Sequence, residues 1–163
     1  PILIPITIVL ALLGRYLDGL LGWSSLLPAW PLNLVLFALF TAAGLLIMWW
    51  CYSYLVLVGQ GGPAPLVAKP PRRLVLEGPY GLTRHPSIPG KLLGVIGLGF
   101  LMRSPFFLLI IVPLLLAGSL VEKYFFMERR EQKYWGEPYD RYREQVPFFI
   151  PRASGIARLL RKR

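Results

Sequence analysis

The chain has 163 residues, of which 55% are hydrophobic and only 16% charged, and its mean hydropathy is +0.56. This length suits one domain, and a soluble fold of this size could not bury so many apolar side chains, so the composition excludes an ordinary soluble enzyme. The net charge of +10 would suit nucleic acid, but no nucleic-acid-binding motif accompanies it. We therefore predict an all-α, polytopic integral membrane protein.

Four apolar runs are candidate membrane segments: residues 1–22, 32–58, 87–101 and 105–121. The second carries no charge and exceeds the roughly 20 residues that a bilayer crossing needs. In the first, Arg15 and Asp18 could pair at i,i+3 on one helical face. The last two runs predict a helical hairpin that turns at residues 103–105.

One membrane-embedded domain over residues 1–163 is the predicted organisation. Residues 1–58 would hold the N-terminal membrane helices, residues 59–152 the motif-bearing catalytic part, and residues 153–163 a basic tail that binds anionic lipid headgroups. Cys51 is the only cysteine, so an intrachain disulfide is excluded. Because the chain also has only one histidine, the sequence predicts no metal site.

The basic residues predict the orientation. Five of the 18 Lys and Arg residues lie between Lys69 and Lys91, and eleven lie from Lys123 onward. Under the positive-inside rule, the loop of residues 59–86 and the C-terminal region are cytoplasmic, and four crossings would place the N-terminus there too.

The first polar region of that face is the Gly- and Pro-rich loop of residues 59–86, which ends in "GLTRHP". Pro86 suits the first turn of a helix, which puts His85 at or beside the N-cap. Unpaired helix N–H groups next to Arg84 predict a site for an anion such as a carboxylate or phosphate. A purely structural alternative remains open, in which His85 caps the helix and Arg84 reaches out to headgroups.

The second polar region, residues 121–152, has a carboxylate-bearing aromatic stripe at helical spacing. Its members are Tyr124, Glu128, Glu131, Trp135, Tyr139, Tyr142 and Val146. Gly136 and Pro138 predict a helix break, with a second short helix beginning near Pro138. A carboxylate among aromatics at the membrane surface suits a cationic group. Together the two regions suit S-adenosylmethionine, which carries a carboxylate, an ammonium and a sulfonium, although a phospholipid headgroup is also possible.

"GPYGLTRHPSIPG", followed about 40 residues later by "MERREQKYWGEPYDRYREQVPFFIPR", resembles the isoprenylcysteine carboxyl methyltransferase and phospholipid methyltransferase superfamily. The matching positions are Gly78, Pro79, Tyr80, Arg84, His85, Pro86, Gly90, Glu128, Trp135, Gly136, Tyr139, Tyr142, Pro151 and Arg152. The chain departs from the pattern at Ile88, where a Tyr is usual, and at Met127, where the family has the first of two Glu residues.

The resemblance implies an integral membrane enzyme that transfers a methyl group from S-adenosylmethionine to a lipophilic or lipid-anchored acceptor, leaving S-adenosylhomocysteine. It implies that the cofactor is bound on the cytoplasmic side and that Arg84 and Glu128 act in catalysis. Residues expected to line the cofactor pocket are Tyr80, Arg84, His85, Pro86 and Gly90, with Glu128 opposite, near the amino group or the acceptor. The alternative function is a non-enzymatic, lipid-binding membrane scaffold.

Overall fold

The computed structural model describes residues 3–23, 26–61 and 71–151, and within them the regular elements are all helical, without a strand. The α-helices are α1 (Leu3–Leu21), α2 (Leu32–Leu57), α3 (Ser87–Met102), α4 (Val112–Glu122), α5 (Glu128–Trp135) and α6 (Glu137–Gln145). A 3₁₀ turn forms at Gly78–Gly81, and π-helical turns form at Phe107–Ile111 and Lys123–Met127. The all-α prediction is confirmed; the tail of residues 153–163 lies outside the described residues.

Among the described residues, three helices are long and apolar enough to span a membrane: Ile4–Leu21, Leu32–Leu57 and Phe107–Trp135. The third continues beyond residue 121, where we expected the apolar run to end, because the following residues are mainly good helix formers and the chain stays helical to Trp135. Helix α3 has 16 residues, which at about 1.5 Å each gives roughly 24 Å, less than the roughly 30 Å hydrocarbon core.

The chain forms two compact units, and the first combines residues 1–46 with 88–119. Its buried core consists of Ala11, Phe107, Ile111 and Val112. Glycines allow α2 and α3 to approach closely: a Cβ on Gly44 would lie 2.6 Å from the carbonyl oxygen of Gly90, and one on Gly97 would lie 2.7 Å from the hydroxyl of Thr41.

Asp18 is fully buried in this first unit. Its Oδ1 accepts the backbone N–H of Phe106 at 2.9 Å, while Ser104 Oγ accepts that of Phe107 at 3.1 Å. Both acceptors serve the first turn of the helix that begins at Pro105, where N–H groups lack helical partners. The predicted pair with Arg15 is wrong: within the described residues no ion pair joins it to Asp18, whose carboxylate binds the neighbouring helix end instead.

The second unit combines residues 47–87 with 120–163, and its core is formed by Tyr139, Tyr142 and Val146. Helix α5 ends at Gly136, whose φ of 62° lies in the left-handed region that glycine adopts without steric cost. Helix α6 starts one residue later, with Pro138 in its first turn. The predicted break and second helix are therefore confirmed.

Candidate functional site

Glu128, the first residue of α5, is the centre of a buried polar cluster in the second unit, with its side chain 5% exposed. One carboxylate oxygen, Oε2, pairs with Arg84 Nη1 and lies 3.3 Å from Arg143 Nε. The other, Oε1, accepts hydrogen bonds of 3.0 Å from both His85 Nε2 and the Tyr139 hydroxyl. An ionised carboxylate has about four acceptor positions; Glu128 accepts three hydrogen bonds, from Arg84, His85 and Tyr139, and Arg143 adds a second ion pair with arginine. These contacts offset the cost of burying the charge.

The turn before Arg84 is held from several sides. Gly78 has φ 58°, and a Cβ there would lie 2.4 Å from the ring of Tyr54, so a side chain is excluded on both counts. Tyr142 donates its hydroxyl to the carbonyl oxygen of Tyr80 at 2.7 Å. The backbone N–H of Arg84 donates to the carbonyl oxygen of Pro147 at 3.0 Å. These contacts fix the direction in which Arg84 enters the cluster.

An aromatic wall formed by Phe148 and Tyr124 covers the basic side of the cluster. The ring of His85 meets the ring of Phe148 edge-on at a centroid distance of 4.9 Å, and the Arg84 guanidinium carbon lies 5.6 Å from the same centroid. Tyr124 packs edge-on against Phe148 at 5.9 Å. The wall keeps water from one side of the ion pair, which strengthens its electrostatic attraction.

The π-helical turn at Lys123–Met127 directly precedes Glu128. Insertion of a π turn rotates the residues that follow relative to an unbroken α-helix, and such turns are frequent at functional sites. Downstream of it, Glu128 is buried while the adjacent Arg129 and Arg130 are exposed. The local helix geometry thus contributes to the inward direction of this carboxylate.

Burial raises the pKa of the Tyr139 hydroxyl well above its ordinary value of 10.0, and the neighbouring Glu128 charge adds to the effect. The pKa of Tyr142 is also raised, again mainly by burial. Both phenols therefore stay protonated at neutral pH and act as hydrogen-bond donors, Tyr139 to Glu128 and Tyr142 to the turn carbonyl.

Three of the sequence-predicted site residues, Arg84, His85 and Glu128, come together in this cluster. Tyr80 contributes its backbone carbonyl to a tyrosine contact, and Pro86 is buried one residue before α3. Gly90 belongs to the first unit, where it packs against Gly44 of α2. The capping alternative is wrong, because both basic side chains bind a buried carboxylate.

Three further residues of the cluster were not predicted as site residues: Tyr139, Arg143 and Phe148. Tyr139 belonged to the aromatic stripe and to the family motif, but neither feature indicated that its hydroxyl binds Glu128. Arg143 lies one residue after the motif, and Phe148 in the irregular segment that follows α6. Only their tertiary contacts reveal them, since the intervening break at Gly136 changes the chain direction in a way that helical periodicity cannot express.

The predicted anion and cation sites neutralise each other directly, because Arg84 pairs with Glu128. Two buried polar atoms next to this pair, Arg84 Nε and Thr83 Oγ1, have no hydrogen-bond partner among the described residues. Unpartnered buried donors are costly, and each of these two can still donate to an acceptor. Glu128 accepts three hydrogen bonds and pairs with two arginines, so it is better suited to orient Arg84, His85 and Tyr139 than to bind an ammonium alone.

The comparisons with known proteins identify no relative: no family model, no curated protein and no solved structure matches this chain. The described residues also contain no group of three or more His, Cys, Asp or Glu side chains arranged to hold a metal ion.

Proposed function

We propose that this protein is an integral membrane methyltransferase that moves a methyl group from S-adenosylmethionine to a lipophilic acceptor. The observation that carries the proposal is the buried Glu128 carboxylate, which gathers Arg84, His85 and Tyr139 at the end of a helix long and apolar enough to cross a membrane. Buried ionisable groups in such a position are expensive and are typical of functional sites. The Arg-His-Pro and Tyr-x-x-Tyr motifs, which supply Arg84, His85 and Tyr139, resemble those of the methyltransferase superfamily.

In this proposal, Arg84 and Thr83 bind the carboxylate of the cofactor through their unpartnered donors. Bound S-adenosylmethionine would supply an electrophilic methyl carbon, which the acceptor attacks in line while the carbon–sulfur bond breaks and S-adenosylhomocysteine leaves. Holding two reactants in the right orientation contributes roughly 7–11 kcal/mol to such a reaction, and the restrained turn at Gly78–Gly81 is suited to that task. Because Glu128 already accepts three hydrogen bonds and forms ion pairs with two arginines, it serves orientation rather than proton abstraction, which favours an acceptor that reacts without losing a proton.

The acceptor is proposed to be a lipid or lipid-anchored molecule that enters from the bilayer. Glu128 lies at the polar end of the helix Phe107–Trp135, where a membrane-dissolved molecule is within reach. Each methylene of the acceptor that stays in an apolar environment contributes about 0.8 kcal/mol to the free energy of binding. Activity should therefore rise steeply with chain length in a series of amphiphiles with one headgroup, and equal turnover of a short water-soluble analogue would argue for entry from water.

The proposed topology has four membrane segments, with α3 and the following helix as a hairpin, and places the cluster and the C-terminus in the cytoplasm. It rests on the positive-inside rule. A membrane-impermeant maleimide should then label a cysteine at Glu137, in the exposed first turn of α6, only from the cytoplasmic side. A cysteine at the exposed Leu26, in the α1–α2 connection, should be labelled only from outside. Labelling of both from one side contradicts this arrangement.

The alternative function is a non-enzymatic, lipid-binding scaffold. Methyl transfer in native membranes distinguishes it, because such membranes contain the host's acceptors. Membranes from cells that express the protein should transfer the methyl label of S-adenosylmethionine into organic-soluble products. Membranes with Glu128→Gln should lose most of this transfer, whereas those with Glu137→Gln, an exposed carboxylate paired with Arg141, should retain it. Equal labelling with the protein, with either variant and without the protein would leave the scaffold as the better account.

A further inference from the structure

A small polar cleft opens beside the Glu128 cluster. It has a volume of about 230 Å³ and is lined by Tyr124, Phe125, Glu128, Arg129, Gln132 and Arg143. Sites that enclose a whole small molecule usually have 300–1,000 Å³, so this cleft has room for a headgroup rather than for an entire cofactor.

The charges around the cleft are unbalanced. Glu128 is its only lining carboxylate, and its charge is shared between Arg84 and Arg143. Arg129 has no carboxylate within ion-pair distance among the described residues, and its guanidinium lies 6.0 Å from the ring of Phe125. Against the single negative charge of Glu128 stand the three arginines, so the cleft retains an excess of positive charge.

Neither Glu131 nor Asp140 lines the cleft. Glu131 pairs with Arg130 at 3.5 Å and accepts the Trp135 indole N–H at 3.1 Å, and Asp140 accepts the side-chain amide of Gln132 at 3.0 Å. An oxyanion is the ligand that completes such an arrangement, since a guanidinium donates to carboxylate or phosphate oxygens in a matching planar geometry.

Apolar side chains stand at the rim of the same cleft. Tyr124 and Phe125, which line it, are 58% and 46% exposed, and the nearby Val121 and Phe126 on the same continuous helix are 52% and 71% exposed. This segment lies within the apolar span Phe107–Trp135, directly before its charged last part, residues 128–135, and a position between apolar and charged residues is typical of interfacial aromatic residues. A ligand held there has an apolar chain as well as a charged head.

We infer that the cleft binds the oxyanion headgroup, phosphate or carboxylate, of a membrane amphiphile, with Arg129 and Arg143 as the headgroup ligands. This inference rests on the proposed function in one respect: the amphiphile is the methyl acceptor, since its head lies next to Glu128. The binding site itself does not depend on methyl transfer and is measured without it.

The experiment measures the affinity of dodecyl phosphate for the purified full-length chain in a non-ionic detergent, by calorimetry. The test variant is Arg129→Gln/Arg143→Gln. The matched control is Arg130→Gln/Arg141→Gln, which removes two positive charges from the same two helices, at arginines paired with Glu131 and Glu137. Inorganic phosphate and dodecylphosphocholine serve as parallel probes for a free anion and for a zwitterionic head.

Dodecyl phosphate should bind saturably, and the test variant should lose at least about tenfold in affinity, which corresponds to roughly 1.4 kcal/mol. The control should lose less than about threefold. The variant Arg129→Lys/Arg143→Lys keeps both charges, so its affinity should lie between those of the test and control variants. This intermediate affinity separates loss of the site from loss of the fold. Equal losses in test and control variants, or binding of inorganic phosphate as tight as that of dodecyl phosphate, would overturn the inference.

S-adenosylhomocysteine binding in the same preparations keeps the two proposals apart. If S-adenosylhomocysteine does not bind while dodecyl phosphate still binds the test variant more weakly than the control variant, the proposed function fails and the headgroup site stands. If the nucleoside binds while the test variant keeps its affinity for dodecyl phosphate, the headgroup site alone is wrong.

Discussion

Replacing Glu128 with Gln should destabilise the protein severely, although the two side chains have almost the same volume. The substitution removes the negative charge and one acceptor oxygen, leaving Arg84, only 11% exposed, without its ion-pair partner. Because the amide has a single acceptor oxygen, either Arg84 or the pair His85 and Tyr139 loses its acceptor. Breaking one side of a buried ion pair costs about 3–5 kcal/mol. We expect a loss in this range, since no cavity term adds to it.

Stability is measured by reversible unfolding in sodium dodecyl sulfate, followed by far-ultraviolet circular dichroism. The control, Glu137→Gln, breaks an exposed pair with Arg141 and should cost less than about 1 kcal/mol. Arg84→Met added to Glu128→Gln should recover part of the loss, because it removes the stranded charge. If Glu128→Gln costs no more than the control, the carboxylate does not hold the cluster together, and the geometric argument for the site is refuted.

Other parts of the structure lead to further expectations. Asp18→Ala should cost about 1–2 kcal/mol in the same assay because it removes a helix cap, whereas Asp18→Asn keeps an acceptor and should cost less; equal losses would contradict the capping role. Gly78→Ala should destabilise by more than about 1 kcal/mol, since its φ is positive and its space is filled, while Gly118→Ala, with open space around it, should be neutral or slightly stabilising. Because burial raises the pKa of Tyr139 and Tyr142 above 10.0, their contribution to stability should be complete below about pH 10 and fall progressively above it, as the unfolded chain ionises first. A Tyr139→Phe/Tyr142→Phe variant should show a shallower alkaline loss between pH 9 and 11.5, and an unchanged slope would contradict the raised values.

The helical architecture could be predicted from the sequence because the patterns that indicate it are long and local. Long apolar runs mark α1 and α2, with Arg15 and Asp18 as the only charges in the first, and the pair Gly136–Pro138 marks the break before α6. What the sequence did not predict is that the apolar run of residues 105–121 and the polar residues up to Trp135 form one continuous helix. Hydropathy falls after residue 121, but helix formation depends on backbone hydrogen bonding and propensity, which continue to Trp135.

Part of the candidate site could be predicted from the sequence. Motif spacing singled out Arg84, His85 and Glu128, and the structure brings them together. The motif spacing did not predict that Arg84 and Glu128 form a direct ion pair, since opposite charges in two separate segments are equally compatible with a ligand between them. Nor did the sequence predict the partner of Asp18. The nearby Arg15 does not pair with it, and a helix end distant along the chain offers it an unsatisfied backbone N–H instead.

Equilibrium binding of S-adenosylhomocysteine tests the methyltransferase proposal most directly, because it requires no knowledge of the acceptor. In calorimetry on the purified protein in micelles, the proposal predicts saturable binding with one ligand per chain. Arg84→Gln should weaken this binding at least about tenfold, while Arg141→Gln, which alters an exposed arginine of α6, should leave it unchanged. Absence of binding to the folded wild-type protein at millimolar ligand, or equal affinity in the Arg84→Gln variant, would contradict the assignment of this cluster as a cofactor site.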